Sequence, residues 1–118
     1  MTGKEHIDYI ELASVDLERA KAFYGEAFGW TFTDYGDSYT CFELGAVNGG
    51  ITTEREAVGA GKGSLVALHT SDLDGARERV ESAGGMIVVE PFEFPGGRRF
   101  QFTDPDGNEI AVWTEPVG

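Results

Sequence analysis

Three side chains of this sequence have the chemistry expected of an active site: the carboxylates of Glu11 and Glu109 and the imidazole of His69. Such groups can act as a general base, accept a hydrogen bond from a ligand, or hold a divalent cation. Each also has a structural interpretation: Glu11 as an exposed strand carboxylate, His69 as a partner for a nearby turn, and Glu109 as a solvated charge beside a turn. We take all three as candidate catalytic residues and keep these alternatives open.

A second group of side chains could bind a ligand without reacting with it. The phenol of Tyr9 can donate a hydrogen bond to a ligand oxygen, and Trp113 can form the wall of an apolar pocket. Arg99 belongs to an adjacent basic pair and can clamp a carboxylate, or it can balance the charges of Glu90 and Glu93. The predicted ligand-binding residues are Tyr9, Trp113, Arg99, Gln101 and Phe42.

Composition excludes several partners. The net charge of −12 repels phosphate backbones, so we expect no nucleic-acid partner. No apolar run approaches the roughly 18 residues of a membrane span, and no apolar segment of a secretory signal is present. The single Cys41 excludes an internal disulfide, which is typical of a reducing cytoplasm. The sequence therefore predicts a cytoplasmic protein without a membrane partner.

The sequence repeats itself, and the repeat predicts how these side chains are positioned. Asp16 opens one helical pattern, and Asp72 opens another 56 residues later. The same offset superposes Leu17 on Leu73, Ala20 on Ala76, Ala27 on Ala83 and Gly29 on Gly85. Two copies of one supersecondary unit, each too small to bury its own apolar face, are expected to fold together.

Each copy is predicted to be a βαβββ module, on the evidence of period-two strands and helically spaced apolar residues. The predicted elements are strands at 6–14, 30–35, 38–44, 48–54, 64–70, 86–90, 98–103 and 108–114, with helices at 17–27 and 72–83. A small-residue linker, 57–63, joins the first module (5–56) to the second (64–116) within one domain, 1–118. The expected fold class is α+β: two tandem modules forming an incomplete eight-stranded barrel around a groove, with the helices outside.

Strand alternation decides which side chains reach the groove. Ile10 and Leu12 are expected to face the helix of the first module, as Val66 and Leu68 face that of the second. The opposite parity predicts a groove-facing set, which comprises Tyr9, Glu11, His69, Glu109 and Trp113.

Three motifs stand out along the chain. They are Val15-Asp16-Leu17-Glu18-Arg19-Ala20 at the start of the first helix, Gly49-Gly50-Ile51 late in the first module, and Asp104-Pro105-Asp106-Gly107-Asn108-Glu109 near the end of the second. Their aspartates are suited to helix caps and tight turns rather than catalysis. Together these motifs resemble the vicinal oxygen chelate superfamily, which holds glyoxalase I, the bleomycin-resistance proteins and extradiol dioxygenases.

The resemblance implies a metal site whose ligand positions are altered here. The positions that hold ligands in metal-dependent relatives are occupied by Tyr9, Leu65 and Ala111. Leu and Ala cannot coordinate a divalent cation, and such a site needs several converging nitrogen or oxygen ligands. We therefore predict no metal and no cofactor at the inherited site. A divalent metal in a displaced site, built from the three candidate catalytic residues, is the alternative.

The leading functional hypothesis is a glyoxalase-like protein that binds a small, partly apolar metabolite in the groove without the metal of the family. One alternative is a metal-dependent lyase, isomerase or dioxygenase-type enzyme that uses the displaced site. Another is an antibiotic-sequestering protein of the bleomycin-resistance type, because an acidic groove favours a cationic ligand. The resemblance also implies a homodimer.

Overall fold

The computed structural model describes residues 5–116, which form eight strands and two helices. The first module contains Tyr9–Ala13 (β1), Leu17–Phe28 (α1), Thr33–Asp34 (β2), Tyr39–Glu43 (β3) and Asn48–Thr52 (β4). The second contains Val66–His69 (β5), Leu73–Ser82 (α2), Met86–Phe94 (β6), Gly97–Thr103 (β7) and Glu109–Thr114 (β8). The predicted limits at residues 1 and 118 lie outside the described residues. Neither described helix is long and apolar enough to cross a bilayer.

The two modules have the same topology. The first sheet has the order β1-β4-β3-β2 and the second the order β5-β8-β7-β6. In each sheet the first and last strands of the module pair in parallel, and the remaining neighbours are antiparallel. The predicted α+β fold of two tandem βαβββ modules is confirmed, with two separate sheets that do not close into a barrel.

Local sequence explains where both helices begin and where α1 ends. Asp16 caps α1 by accepting a hydrogen bond from the backbone of Arg19, and Asp72 caps α2 in the same way through Gly75. Gly29 ends α1 in the left-handed conformation, with φ of 73°, which favours glycine. The predicted roles of both aspartates as caps are therefore correct.

The helices cover one face of both sheets, so the modules share a single core. The buried face of α1 includes Phe23 and Tyr24, and that of α2 includes Val80. Phe23 packs against Phe102 of the second sheet, with ring centroids 5.8 Å apart. Sheet residues of one parity complete this core: Leu12, Phe42, Ile51, Phe100, Phe102, Ile110 and Val112. We call the opposite face of each sheet its open face.

A buried carboxylate fixes the turn between β7 and β8. Asp104 accepts hydrogen bonds from the backbone N–H groups of Asp106 and Asn108, both at 2.9 Å. Its other oxygen accepts from the Tyr24 hydroxyl at 2.7 Å and from the Asn108 amide at 2.8 Å. Burial raises the pKa of Asp104, while these donors oppose the rise. Tyr24 belongs to the first module, so this carboxylate joins the two modules.

The same turn makes further bonds to the start of α1. The Asn108 amide donates to the carbonyl of Ala13 at 2.7 Å. Asp106 accepts from the backbone of Val15 at 2.9 Å and from the guanidinium of Arg19 at 2.7 Å. We call Asp104, Asp106 and Asn108 the turn clamp. Asp104 and Asp106 are turn formers, as predicted, and they also hold the modules together.

Several strands differ in length from the prediction; β1 and β5, for example, are shorter than the predicted 6–14 and 64–70. Strand β2 covers only Thr33–Asp34, because Trp30 and Phe32 pack against the core instead of pairing in the sheet. Strand β6 extends to Phe94, because its register shifts twice between Ile87 and Phe92 and pairing continues beyond the irregular part.

Removing the Tyr24 hydroxyl tests the turn clamp. Tyr24→Phe is expected to lower the free energy of unfolding by about 1–3 kcal/mol near pH ~7, because a buried carboxylate loses a donor. The hydroxyl stabilises the ionised carboxylate, so this loss should shrink as the pH falls through the raised pKa of Asp104 and the group becomes neutral. Urea unfolding at several pH values measures it. Tyr35→Phe, at an exposed tyrosine, is the control, and a loss independent of pH would contradict the assignment.

Candidate functional site

An apolar cavity of about 530 Å³ lies between the two sheets, and most of its lining residues belong to the face that carries the helices. Strands β1 and β5 form its walls through Ile10, Leu12, Val66 and Leu68. Its remaining apolar lining comprises Phe28, Trp30, Phe42, Leu44, Ala46, Val47, Ala67, Ile110 and Val112. This volume lies within the range of small-molecule sites, about 300–1,000 Å³. We call it the inter-sheet cavity.

A flat aromatic wall and a polar rim give the inter-sheet cavity its character. Trp30 stacks on Tyr24 with ring centroids 4.8 Å apart and on Phe42 at 4.5 Å. The polar lining consists of His69, Thr70 and Arg79. Arg79 donates from Nε to the carbonyl of Ala27 at 2.9 Å, which anchors its guanidinium at the end of α1. The cavity is therefore mainly apolar and aromatic, with a few polar groups that can bond to ligand oxygens.

A second cavity, of about 800 Å³, lies beneath the segment that joins the modules. It is lined by the predicted site residues Tyr9, Glu11 and Glu109 and by the basic side chains Arg55 and Lys62. We call it the linker cavity. Three residues of the predicted groove thus share one cavity, which is more polar than the inter-sheet cavity because charged side chains of both signs surround it.

A hydrogen-bonded chain ends at Glu11 in the linker cavity. The Tyr39 hydroxyl donates to Glu11 at 2.9 Å, and the Tyr9 hydroxyl lies 2.5 Å from that of Tyr39. Since the Tyr39 hydrogen is used for Glu11, Tyr9 donates to Tyr39, and the Cys41 thiol at 3.4 Å can donate to Tyr9. This series of hydrogen-bonded side chains leaves only oxygen acceptors for a ligand. It therefore favours ligand groups that donate hydrogen bonds.

The environment of the two phenols raises both pKa values. For Tyr39, burial is the main cause, followed by the hydrogen bonds to Tyr9 and Glu11. For Tyr9, the contact with Cys41 is the main cause. Both phenols are therefore neutral hydrogen-bonding groups at neutral pH. Tyr39 was not among the site residues predicted from the sequence.

The other two candidate catalytic residues have different partners. His69 Nε2 lies 2.7 Å from a carboxylate oxygen of Glu115, and this bond lowers the pKa of Glu115. Glu109 accepts from the Gly61 backbone and the Gln101 amide, both at 2.7 Å. Each of these side chains is therefore positioned by its own local contact.

The described residues do not fit a metal site of the family type. No group of three or more His, Cys, Asp or Glu side chains within residues 5–116 is arranged to hold an ion. Tyr9 is engaged with Tyr39 and Cys41, Leu65 is apolar, and Ala111 is a fully buried methyl group. A divalent cation needs several converging oxygen or nitrogen ligands, and these residues do not supply them.

The predicted ligand-binding residues occupy two different faces. Phe42 lies in the wall of the inter-sheet cavity, and Tyr9 lines the linker cavity. Trp113, Arg99 and Gln101 lie on the open face of the second sheet, where Arg99 is the cross-strand partner of Trp113. The sequence analysis placed the ligand groove only on the open faces and missed the inter-sheet cavity. The sequence does contain an indication of this cavity. Two short helices cannot cover all of the apolar surface that is offered by Ile10, Leu12, Val66 and Leu68.

Comparison with known proteins identifies the family. A model of the Glyoxalase/Bleomycin resistance protein/Dioxygenase superfamily matches residues 6–112. The chain belongs to this superfamily. The predicted resemblance to the vicinal oxygen chelate group is thereby confirmed.

Relatives and solved structures agree with this assignment. The chain is 31% identical over 128 residues to the anthracycline biosynthesis protein DauV of Streptomyces sp. (strain C5), covering 92% of this chain and 46% of that protein. It therefore spans about half the length of that relative. It is 27% identical to a glyoxylase-like domain-containing protein of Didymella fabae, over 93% of this chain and 94% of the relative. A glyoxalase-related enzyme of Fulvimarina pelagi shares the fold, with a TM-score of 0.80, 21% identity and coverage of 98% and 94%.

The tyrosine chain depends on a glycine, which provides a test. A Cβ at Gly50 would meet the hydroxyls of Tyr39 and Tyr9, the latter at 2.9 Å. Gly50→Ala is therefore expected to separate the phenols and to cost about 1–3 kcal/mol of unfolding free energy. Denaturant unfolding and ultraviolet titration of the tyrosines measure the two effects.

Gly25→Ala is the matched control for this substitution. Its Cβ would meet only the Trp30 carbonyl at 3.6 Å, and alanine favours a helix by about 1 kcal/mol over glycine. Equal stability of the two alanine variants would contradict the close approach at Gly50.

Proposed function

We propose that this protein binds a small, flat, largely aromatic molecule in the inter-sheet cavity, without a metal ion. The supporting observation is the cavity itself: about 530 Å³ of mainly apolar space with the stacked Trp30 in its wall. Burial of an aromatic ring system against this apolar lining supplies most of the affinity.

The rim supports a ligand that carries oxygen atoms. His69, Thr70 and Arg79 are the polar residues of an otherwise apolar lining. The Arg79 guanidinium uses Nε for the carbonyl of Ala27, so its terminal nitrogens can donate to a keto or hydroxyl oxygen. The name of DauV, an anthracycline biosynthesis protein, is consistent with a polycyclic aromatic ligand that carries such oxygens.

The test uses 1,4-dihydroxyanthraquinone as the probe and 1-adamantanol as a non-planar comparison. Calorimetric titration should give binding of the anthraquinone and at least about tenfold weaker binding of adamantanol, a difference of about 1.4 kcal/mol. Dialysis against EDTA should leave the affinity unchanged. Loss of binding on chelation would overturn the metal-free part of the proposal.

A bulky side chain introduced at the edge of the inter-sheet cavity tests whether the ligand binds there. Ala46 is exposed and lines the inter-sheet cavity, so Ala46→Trp should weaken anthraquinone binding about tenfold or more without disturbing the core. Ala60→Trp is the matched control, because Ala60 is also exposed but lines neither cavity. Equal affinities of the two variants would place the ligand elsewhere.

We further propose that two copies of the chain associate through the open face of the second sheet. Met86 and Phe92 are large apolar residues exposed on this face, at 67% and 37% of their surface. Exposed apolar patches on a sheet favour association, and a second copy would cover them.

A charge at the proposed interface tests the dimer. Met86→Glu should shift the sedimentation equilibrium toward monomer, because a carboxylate would have to be buried between the copies. Tyr35→Glu, at an exposed position beyond β2, should leave the mass unchanged. A wild-type protein that sediments as a monomer would contradict this part of the proposal.

A further inference from the structure

The inter-sheet cavity differs in charge from the rest of the molecule. The chain carries 21 Asp and Glu residues against 9 Lys and Arg, which gives a net charge of −12. Among the described residues that line the cavity none is acidic, and Arg79 is the one Lys or Arg. A cation beside apolar walls acts more strongly than one in bulk water, because less solvent screens it. The cavity is therefore a positive site in a negative molecule.

The backbones of both helices hold Arg79 in position. Its Nε donates to the carbonyl of Ala27 at 2.9 Å, close to the end of α1. The last turn of α1 has no basic residue of its own, so Arg79 supplies the cation that the free carbonyl groups favour. Its Nη1 lies against the backbone of α2, since a Cβ added at Gly75 would meet this atom at 3.1 Å. The guanidinium is therefore preorganised before a ligand binds.

No ion pair neutralises this guanidinium within the described part of the chain. Arg79 also borders a polar groove between the helices, which is lined by Glu26, Asp72 and Glu78. None of these carboxylates forms a salt bridge with it. Asp72 instead caps α2 by accepting from a backbone N–H group. The N–H groups on Nη1 and Nη2 of Arg79 are therefore available to an anion.

The other polar residues of the cavity lining already have partners. His69 Nε2 lies 2.7 Å from a carboxylate oxygen of Glu115. The Thr70 hydroxyl accepts from the backbone N–H of Asp72 at 3.1 Å. Arg79 is thus the lining residue that offers free donors together with an uncompensated charge, and it decides which polar group of a ligand is bound most tightly.

We propose that Arg79 selects ligands that carry a carboxylate, so that the substrate class of the inter-sheet cavity is a planar aromatic acid. This inference rests on the function proposed above, because it concerns the same cavity. The ring system packs against the apolar lining, and the carboxylate accepts two hydrogen bonds from Nη1 and Nη2, whose planar geometry matches its oxygens. A cationic ligand, which the net charge of the chain alone would favour, is repelled by the same guanidinium.

The experiment compares anthraquinone-2-carboxylate with anthraquinone-2-carboxamide on the full chain by calorimetric titration. The two probes share one ring system and are nearly equal in size, so charge is the main difference between them. Wild-type protein should bind the carboxylate at least about tenfold more tightly at low ionic strength, because hydrogen bonds between charged groups are the stronger ones. Added salt should reduce this preference, because Arg79 is exposed on its groove side.

Substitutions in α2 assign the preference to one side chain. Arg79→Gln should abolish the preference for the carboxylate. Arg79→Lys should retain only part of it, because lysine keeps the charge but lacks the planar fork. Arg77→Gln is the matched control, since Arg77 lies on the same helix but pairs with Glu81 and Glu90 and does not line the cavity.

Failure of this inference can be told apart from failure of the cavity proposal. Tight binding of both anthraquinones with equal affinity would leave the cavity as the site and overturn the role of Arg79. Binding of neither probe would contradict the proposed function itself. An equal loss of preference in the Arg77 and Arg79 variants would assign it to overall charge. A less stable Arg79→Gln protein that keeps the full preference would assign Arg79 to the end of α1 alone.

Discussion

The buried carboxylate of Asp104 is the interaction on which the rest of this structure depends. It organises its own turn through two backbone donors and reaches the first module through Tyr24. A buried carboxylate is stable only when its acceptors are satisfied, so the turn and α1 must hold a fixed relative position. The hydrogen bond between Asp104 and Tyr24 therefore helps to set the spacing of the two sheets and of the cavity between them. The turn between β7 and β8, which the sequence predicts only as a tight turn, thus also connects the two modules.

The two faces of the sheets have separate chemical characters as a result. On the helix side, rings from both modules form one core, and the inter-sheet cavity is the part of the apolar surface that the helices leave uncovered. On the open side, polar groups are grouped by sheet: the first carries the phenol chain that ends at Glu11, and the second carries Arg99 among aromatic rings. One fold therefore presents an apolar cavity, a group of hydrogen-bond acceptors and a cationic group on separate surfaces.

Local signals in the sequence predicted most of the fold. Asp16, Asp72 and Gly29 act through neighbours a few residues away, so their roles follow from residue type and spacing. The site was harder to predict, because its contacts join residues far apart in the chain. The bond between Tyr39 and Glu11 requires the register of β3 and β4 against β1. The buried Arg99 Nε, which has no hydrogen-bond partner within residues 5–116, becomes apparent only once the surrounding side chains are placed. Strand alternation predicts the sheet face on which a residue lies, but it does not predict whether a helix or another sheet covers that face.

The parallel pairing of first and last strands has a consequence for how the chain reaches this state. Within its sheet β5 pairs only with β8, so the backbone of Val66 has no strand partner until Ile110 is in place. The same holds for Tyr9 in β1 and Asn48 in β4. Closing such long loops costs entropy before the contacts repay it, which slows folding. During synthesis neither sheet can be completed until the final strand of its module has left the ribosome. Until then its opening strand is an unpaired apolar segment that a chaperone can recognise.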